Sequence, residues 1–423
     1  MHVLYVHPNF PAQFGHIAHR LARQHGWQTT FATQVAGGDV GGIRRIVYKS
    51  TGGATASTHF CSRTFENAVW QCDGVYQALK ARPDIKPDLI VGHSGFGSTL
   101  FLRELYPDAA VINFGEYFYH PKGHDSDMEF RGDLGWKLTD AQFQRARCRN
   151  AMILLDLHNC DAAYTPTQFQ FSRFPAEYHP KMRVIFDGVD RKVYHGHDER
   201  LRPPPAGRGS RQIAGATVPA STRVVTYVSR GFESMRGFDI FLRAARRIYQ
   251  AYPDVLFVVV GSERICYGGD ENYIAPAKTF KEWALARENY DLSKFLFTGP
   301  VPPDQLALLL ATTDLHIYLT APFVLSWSLM DALSCGAVVL GSATSPVMEM
   351  IDDGRNGLLA DFFDADAIAS RAVEALRDPA AFRPLGRAGE QMIAEKYSLD
   401  VVLPEMVGMY EQTIRFPRRA DTH

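Results

Sequence analysis

The feature that most narrows what this chain can fold into is an alternation. Short apolar runs of strand length are each followed by an amphipathic stretch at helical spacing, and the whole series is written twice. His2–His7 is apolar enough for a strand covered on both faces, and Phe14, Ile17, Ala18, Leu21 and Ala22 follow at helical spacing before Gly26. Further runs of strand length stand at Ile43–Tyr48, Asp88–His93, Ala109–Gly115, Asp161–Thr165 and Met182–Phe186. Helical stretches lie between them at Thr64–Ala81, near Ser98–Leu105 and from about Asp140 to His158. Alternation of this kind predicts a doubly wound parallel sheet, because each helix is the crossover that lets the next strand run the same way.

The pattern breaks after Asp187-Gly188-Val189-Asp190. Residues 196–222 carry Pro203-Pro204-Pro205, Gly207, Gly209 and Gly215 with little apolar periodicity, which reads as a linker. The series then restarts with Val224–Ser229, a helix bearing Phe238, Phe241, Leu242, Ala245 and Ile248, and the strongly apolar Val255–Val260. Strands at Phe295–Thr298, His316–Leu319, Val338–Gly341 and Gly357–Ala360 alternate with helices near 303–312, 326–334 and 365–376. The expected organisation is an α/β domain over 1–195, a linker over 196–222, a second α/β domain over 223–398, and an amphipathic helix within 399–423 that packs back on the first.

Charge and cysteine usage remove several function classes. Lys and Arg number 45 against 46 Asp and Glu, so no global field draws the chain to nucleic acid, and any bound anion is held locally. The six cysteines form neither a CxxC nor a Cys/His cluster, which argues for reduced thiols in the cytoplasm and against a metal site or a disulfide framework. No apolar run is long enough to cross a bilayer. Neither half opens on GxGxxG and GxxxxGK[ST] is absent, which speaks against a nicotinamide enzyme or a P-loop nucleotidase.

Several motifs, taken in order, resemble the family 4 glycosyltransferases with the GT-B fold. They are Asp187-Gly188-Val189-Asp190, Ser229-Arg230-Gly231 with Arg236-Gly237, Gly299-Pro300-Val301, and Pro322 to Gly336 followed by Ala337-Val338-Val339. The opening Val6-His7-Pro8-Asn9-Phe10-Pro11-Ala12-Gln13-Phe14 is similar to one branch of that family. The resemblance implies two Rossmann-like domains facing across a cleft. It also implies transfer of a hexose from a UDP- or GDP-sugar to a hydroxyl acceptor (glycan, glycolipid or small molecule), usually with retention of configuration. The nucleotide sugar is then a substrate, and no metal or other cofactor is implied. Two rival readings share the fold: a nucleotide-sugar 2-epimerase, and a nucleotide-sugar-binding protein without turnover.

Candidate residues follow from the chemistry. A diphosphate leaving group needs cations where its charge grows, and Arg230 and Arg236 stand just after a strand and at the start of the next helix. The alternative is that both pair with Glu233 and Asp239 on the surface. The resemblance places two carboxylates eight residues apart near the donor. Asp331 matches the later one, suited to accept from ribose hydroxyls, and Phe323 occupies the earlier position. Backbone N–H groups at Val324, Leu325 and Ser326 would face the pyrophosphate at a helix start, and Val301 would meet the base through its main chain. Glu349 would touch the nucleotide or cap a helix. In the first half, Gly15 would let its loop approach the diphosphate. His93 and Glu116, at adjacent strand ends, would orient or deprotonate the acceptor. His120 and His124 with Asp125 and Asp127 read as a polar loop rather than a metal site. Arg145, Arg147 and Arg149 with Met152, Leu154 and Leu155 present either a solvated helix face or a peripheral contact with the inner face of a membrane.

Overall fold

The computed structural model describes residues 1–38, 40–96, 99–123, 129–196 and 210–417. The chain divides into two compact units. The first comprises Met1–Glu129, Lys137–Asp187 and the chain from Val402 onward; the second comprises Phe130–Trp136 and Gly188–Val401.

The first unit is built on seven parallel strands: β1 His2–Val6, β2 Gln28–Thr33, β3 Ile43–Val47, β4 Leu89–His93, β5 Ala110–Phe114, β6 Ala162–Thr165 and β7 Met182–Val184. Their order is β3-β2-β1-β4-β5-β6-β7, so the chain winds outward from β1 in one direction and, after β3, from β4 in the other. The crevice between β1 and β4 is therefore the switch point where such sheets take ligands. Strand β2 was hidden in the sequence because four of the six residues of Gln-Thr-Thr-Phe-Ala-Thr are polar, yet Thr29, Thr30 and Thr33 are buried and β-branched residues suit a strand. The helix expected from 140 to 158 is two, Asp140–Cys148 and Asn150–Asn159, joined at Arg149. Near 98–105 the only helical element among the described residues is the 3-10 turn Leu102–Glu104.

The second unit has the six-stranded parallel order β12-β11-β10-β13-β14-β15. Its strands are β10 Arg223–Gly231, β11 Val255–Ser262, β12 Phe295–Gly299, β13 Leu315–Tyr318, β14 Val339–Ser342 and β15 Leu358–Ala360. Its switch point lies between β10 and β13. The expected linker over 196–222 needs correction. Residues 197–209 lie outside the described residues, but an antiparallel hairpin, β8 Ser210–Ile213 and β9 Ala216–Pro219, occupies most of the rest. Ala214 (φ 47°) and Gly215 (φ 84°) make its two-residue turn with both residues left-handed, as a tight hairpin requires. Ile213 and Val218 are buried against Val258, Val260 and Leu309, so this stretch is part of the second core.

The first expected boundary, at 195, also moves. The main segment of the second unit begins at Gly188 (φ 86°), where a Cβ would lie 2.5 Å from Leu399 Cδ2, and Val189 pairs with Ser398. The final helix, Leu399–Arg415, sends Val402, Leu403, Met406 and Tyr410 into the core of the first unit beside Val3, Tyr5 and Tyr164.

Candidate active site

In the second unit, two glycines let the strand ends come together. A Cβ at Gly261 (φ 143°) would lie 1.9 Å from the Ser229 carbonyl oxygen, and one at Gly231 would lie 2.2 Å from that of Arg264. Glu233, a surface partner only in the alternative reading, is fully buried. Its Oε2 accepts the backbone N–H groups of Cys266 (2.7 Å), Tyr267 (2.8 Å) and Gly268 (3.3 Å), which ties the loop after β11 to the turn after β10. Asp270 accepts from both the N–H and the hydroxyl of Ser234 at 2.7 Å, and burial pushes its carboxyl up to about 6.

Arg236 closes the 3-10 turn Ser234–Arg236 and is only 5% exposed. Its Nη1 donates to Thr320 Oγ1 (2.7 Å) and the Val324 carbonyl (3.0 Å), and its guanidinium lies 5.1 Å from the centre of the Tyr267 ring. No carboxylate forms an ion pair with it among the described residues. The surface pairing with Glu233 and Asp239 is thus absent for Arg236: Glu233 serves the 266–268 loop, and Asp239 pairs with Arg131 at 2.8 Å. Arg230, by contrast, is exposed at the end of β10, its carbonyl accepting from Ser262 Oγ at 2.6 Å.

The expected row of free N–H groups at Val324, Leu325 and Ser326 is corrected at its last member. Ser326 caps the helix Trp327–Ser334, and its N–H donates to the Tyr318 hydroxyl at 2.9 Å. Val324 and Leu325 are buried. Phe323 is buried too, its ring set edge-on to Tyr267 at 5.4 Å. Asp331 keeps a partial opening to solvent, its carboxyl makes no hydrogen bond or ion pair among the described residues, and burial pushes that carboxyl up to about 8. Val301, two residues after Gly299 (φ 69°), packs against the cluster that holds Val258 and Val260. Glu349 follows the four-residue helix Ser345–Met348 instead of preceding a helix, which excludes the N-capping role.

In the first unit, His93 ends β4 and is 4% exposed. Its Nδ1 meets the Ser94 carbonyl at 2.9 Å, and its Nε2 stands 3.6 Å from Glu116 Oε2. The rings of His7 (5.3 Å), Phe96 (4.5 Å) and Phe114 (5.2 Å) surround it. Glu116 sits just past β5, where the Gln170 amide holds its carbonyl at 2.5 Å. Both residues line a pocket of about 210 Å³ whose wall also includes Asn67, Gln71, Tyr119 and Arg149. Beneath it, Asp156 accepts from the Gly95 N–H at 2.8 Å while its Oδ1 has no partner, and burial pushes its carboxyl up to about 7. Gly15 needs correction: its φ is −59°, and a Cβ there would lie 2.6 Å from Pro11 Cβ, so the close approach it allows is to its own loop.

Of the remaining candidates, Arg149 alone lines this pocket among the described residues. His120 Nε2 meets the Arg173 carbonyl at 2.7 Å, and burial lowers its pKa; His124, Asp125 and Asp127 lie outside the described residues. No group of three metal-ligating side chains occurs among the described residues. The face proposed for a membrane is broken up, since Met152 is buried, Arg145 covers the Phe60 ring and Arg149 covers Tyr119 and donates to its hydroxyl; only Leu155 of the three apolar residues is exposed. No helix among the described residues is long and apolar enough to cross a membrane. Glu233 and Asp156 were not legible as site residues, because a single acid in a loop or a helix carries no pattern of its own.

Two family models match the chain: the glycosyl transferase family 4 group over residues 25–194 and the glycosyl transferases group 1 over 211–392. The chain is 25% identical over 234 residues to N-acetyl-alpha-D-glucosaminyl L-malate synthase of Bacillus anthracis, covering 55% of this chain and 54% of that protein. It is 24% identical over 238 residues to D-inositol 3-phosphate glycosyltransferase of Corynebacterium urealyticum, covering 56% and 52%. The matched region thus spans about half the length of these relatives. Among solved structures, sucrose-phosphate synthase from Thermosynechococcus elongatus superposes with a TM-score of 0.72 at 16% identity, over 98% of this chain and 99% of that one. Anabaena HepE in complex with UDP and glucose gives 0.66 at 15% identity, over 97% and 99%. These likenesses agree with the two sheets in fold, and with the family models the conclusion is that this chain belongs to the family 4 glycosyltransferases.

Proposed function

We propose that the protein is a glycosyltransferase that moves a hexose from a UDP- or GDP-sugar to a hydroxyl acceptor, with retention of configuration and without a metal ion. The observation that carries this reading is Arg236, a buried guanidinium that no carboxylate pairs with among the described residues. A buried cation met only by neutral oxygens is stabilised when an anion binds beside it, and a diphosphate at the carboxyl end of β10 would be that anion. Arg230, exposed on the same turn, adds a second positive charge, so the pair would take up the charge that grows as the bond between the sugar C1 and the diphosphate oxygen breaks. Asp331, whose carboxyl has no partner among the described residues, would accept from the ribose hydroxyls through its carbonyl oxygen. In the first unit, His93 and Glu116 would orient the acceptor hydroxyl, whose oxygen bonds to C1 on the face the diphosphate leaves while its proton passes to the departing diphosphate oxygen.

The names of similar proteins support the donor and leave the acceptor wide. The HepE structure holds UDP and glucose, while the relatives' names speak of malate and of inositol 3-phosphate. The pocket beside His93 and Glu116 combines a carboxylate, amides and Arg149, a set suited to a polyhydroxyl acceptor. The test is a mass-spectrometric screen of UDP- and GDP-hexoses against polyol, lipid-extract and water acceptors, with EDTA in a parallel series. Transfer that persists in EDTA is expected. Absence of transfer from every donor, in a protein whose melting temperature neither UDP nor GDP raises, would overturn the reading.

A further inference from the structure

Seven residues from the first half of the sequence, Phe130–Trp136, belong to the second unit although the chain on both sides belongs to the first. This strap is anchored at both ends by rings. Phe130 lies 5.1 Å from Phe362 and 5.0 Å from Phe363, and Trp136 stacks on Tyr273 at 4.8 Å and 9°, with Trp283 at 5.9 Å. Between the anchors Arg131 is 6% exposed, and its guanidinium is spread over two carboxylates and a carbonyl. Nε and Nη2 donate to Asp133 at 2.9 and 3.0 Å, Nη1 and Nη2 donate to Asp239 at 3.1 and 2.8 Å, and Nη1 also donates to the Ser234 carbonyl.

Ser234 and Asp239 flank Arg236 in sequence, two residues before it and three after. The Ser234 carbonyl also accepts the Gly237 N–H at 2.9 Å, the bond that closes the turn around Arg236, while the Ser234 N–H and hydroxyl are held by Asp270. Asp239 lies in the first turn of the helix Phe238–Ala251, which leaves that turn. One planar guanidinium therefore ties together the entry and the exit of the segment that aims Arg236 at Thr320 and Val324. A lysine, with one donor centre, cannot hold both. Had the strap served packing alone, its rings would suffice and an apolar residue could replace Arg131 without desolvating a charge.

We propose that Arg131 is a positioning residue for the diphosphate site, fixing the turn that carries Arg236 without itself meeting the substrate. The proposal rests on the donor reading given above, and it makes the effect selective: what depends on Arg131 is the grip on the diphosphate, not on the nucleoside. The test is calorimetric binding of UDP and UMP, and of GDP and GMP, to wild type, Arg131→Lys and Asp133→Asn, with circular dichroism and melting curves to confirm folding. Arg131→Lys is expected to weaken the diphosphate by about tenfold while the monophosphate changes by less than about twofold. Asp133→Asn, which leaves Arg131 its bonds to Asp239 and Ser234, should move the same ratio in the same direction by less, and it decides the matter if Arg131→Lys does not fold. A lowered melting temperature with an unchanged ratio in the folded variants would overturn the positioning role and leave the donor reading standing. Wild type that binds no nucleoside diphosphate more tightly than its monophosphate would overturn the donor reading itself, and the role of Arg131 with it.

Discussion

A charge withdrawn from water has to be answered by something, and the two arginines after β10 differ in how they are answered. Arg236 is buried and bonded to Thr320 and the Val324 carbonyl, so Arg236→Ala should cost about 1–3 kcal/mol of stability besides slowing transfer. Arg230 is exposed, and Arg230→Ala should leave stability within about 0.5 kcal/mol while lowering kcat/KM on the order of a hundredfold. Urea unfolding paired with transfer rates separates the two; equal stability losses would show that burial does not distinguish them. Asp331 makes a pH prediction of unusual sign. Its folded-state pKa is about 8 against an ordinary 3.8, so between those values the unfolded chain has released a proton that the folded chain keeps. Stability therefore falls as pH rises through that window, and Asp331→Asn should gain on wild type from pH 5 to pH 8, by on the order of 2 kcal/mol after allowance for its partial opening to solvent. A difference that does not change with pH would mean that the carboxyl titrates normally. At this scale the sequence was readable where a motif marked the residue, as with Arg230 and Asp331. It was silent on Glu233 and Arg131, whose partners lie up to 108 residues away.

Elements were legible where apolar periodicity was strong and illegible where polar or small residues did the packing. Strand β2 was masked by its threonines, and the hairpin β8–β9 by the proline and glycine content around it. Only the structure shows Ile213 seated among Val258, Val260 and Leu309. Ile213→Ala should therefore destabilise the second unit by about 2–4 kcal/mol, measured as a shift in its urea midpoint. A linker residue would cost nothing, so a shift within error would return the segment to that role. The helix Pro379–Met392 went unread for a similar reason, since glycines interrupt it. Gly386 lies against backbone, and a Cβ there would stand 2.3 Å from the Gly336 carbonyl oxygen. Gly386→Ala should cost about 1–3 kcal/mol because no side chain can yield, and an unchanged melting temperature would show that the helix can slide aside.

For the molecule as a whole, the alternation announced two α/β sheets, but not that the chain would pass from one unit to the other four times, after Glu129, Trp136, Asp187 and Val401. A single cut therefore does not yield two complete parts. A fragment of residues 188–401 lacks Arg131 and Trp136, and it should melt lower than the same fragment supplied with a peptide of residues 130–136, by differential scanning calorimetry. Identical melting would mean that the strap adds no stability. The last crossing also sets an order of events during synthesis. The first unit is begun first, yet Tyr5 and Tyr164 are covered by Tyr410, which the ribosome adds 246 residues after Tyr164. At about 5–20 residues per second, the oldest part of the nascent chain waits tens of seconds with an apolar flank unsealed, while the younger unit can gather its own sheet. The unit begun first is thus closed last: until the helix Leu399–Arg415 has left the ribosome, its core keeps an open flank that the quality-control machinery of the cell can recognise.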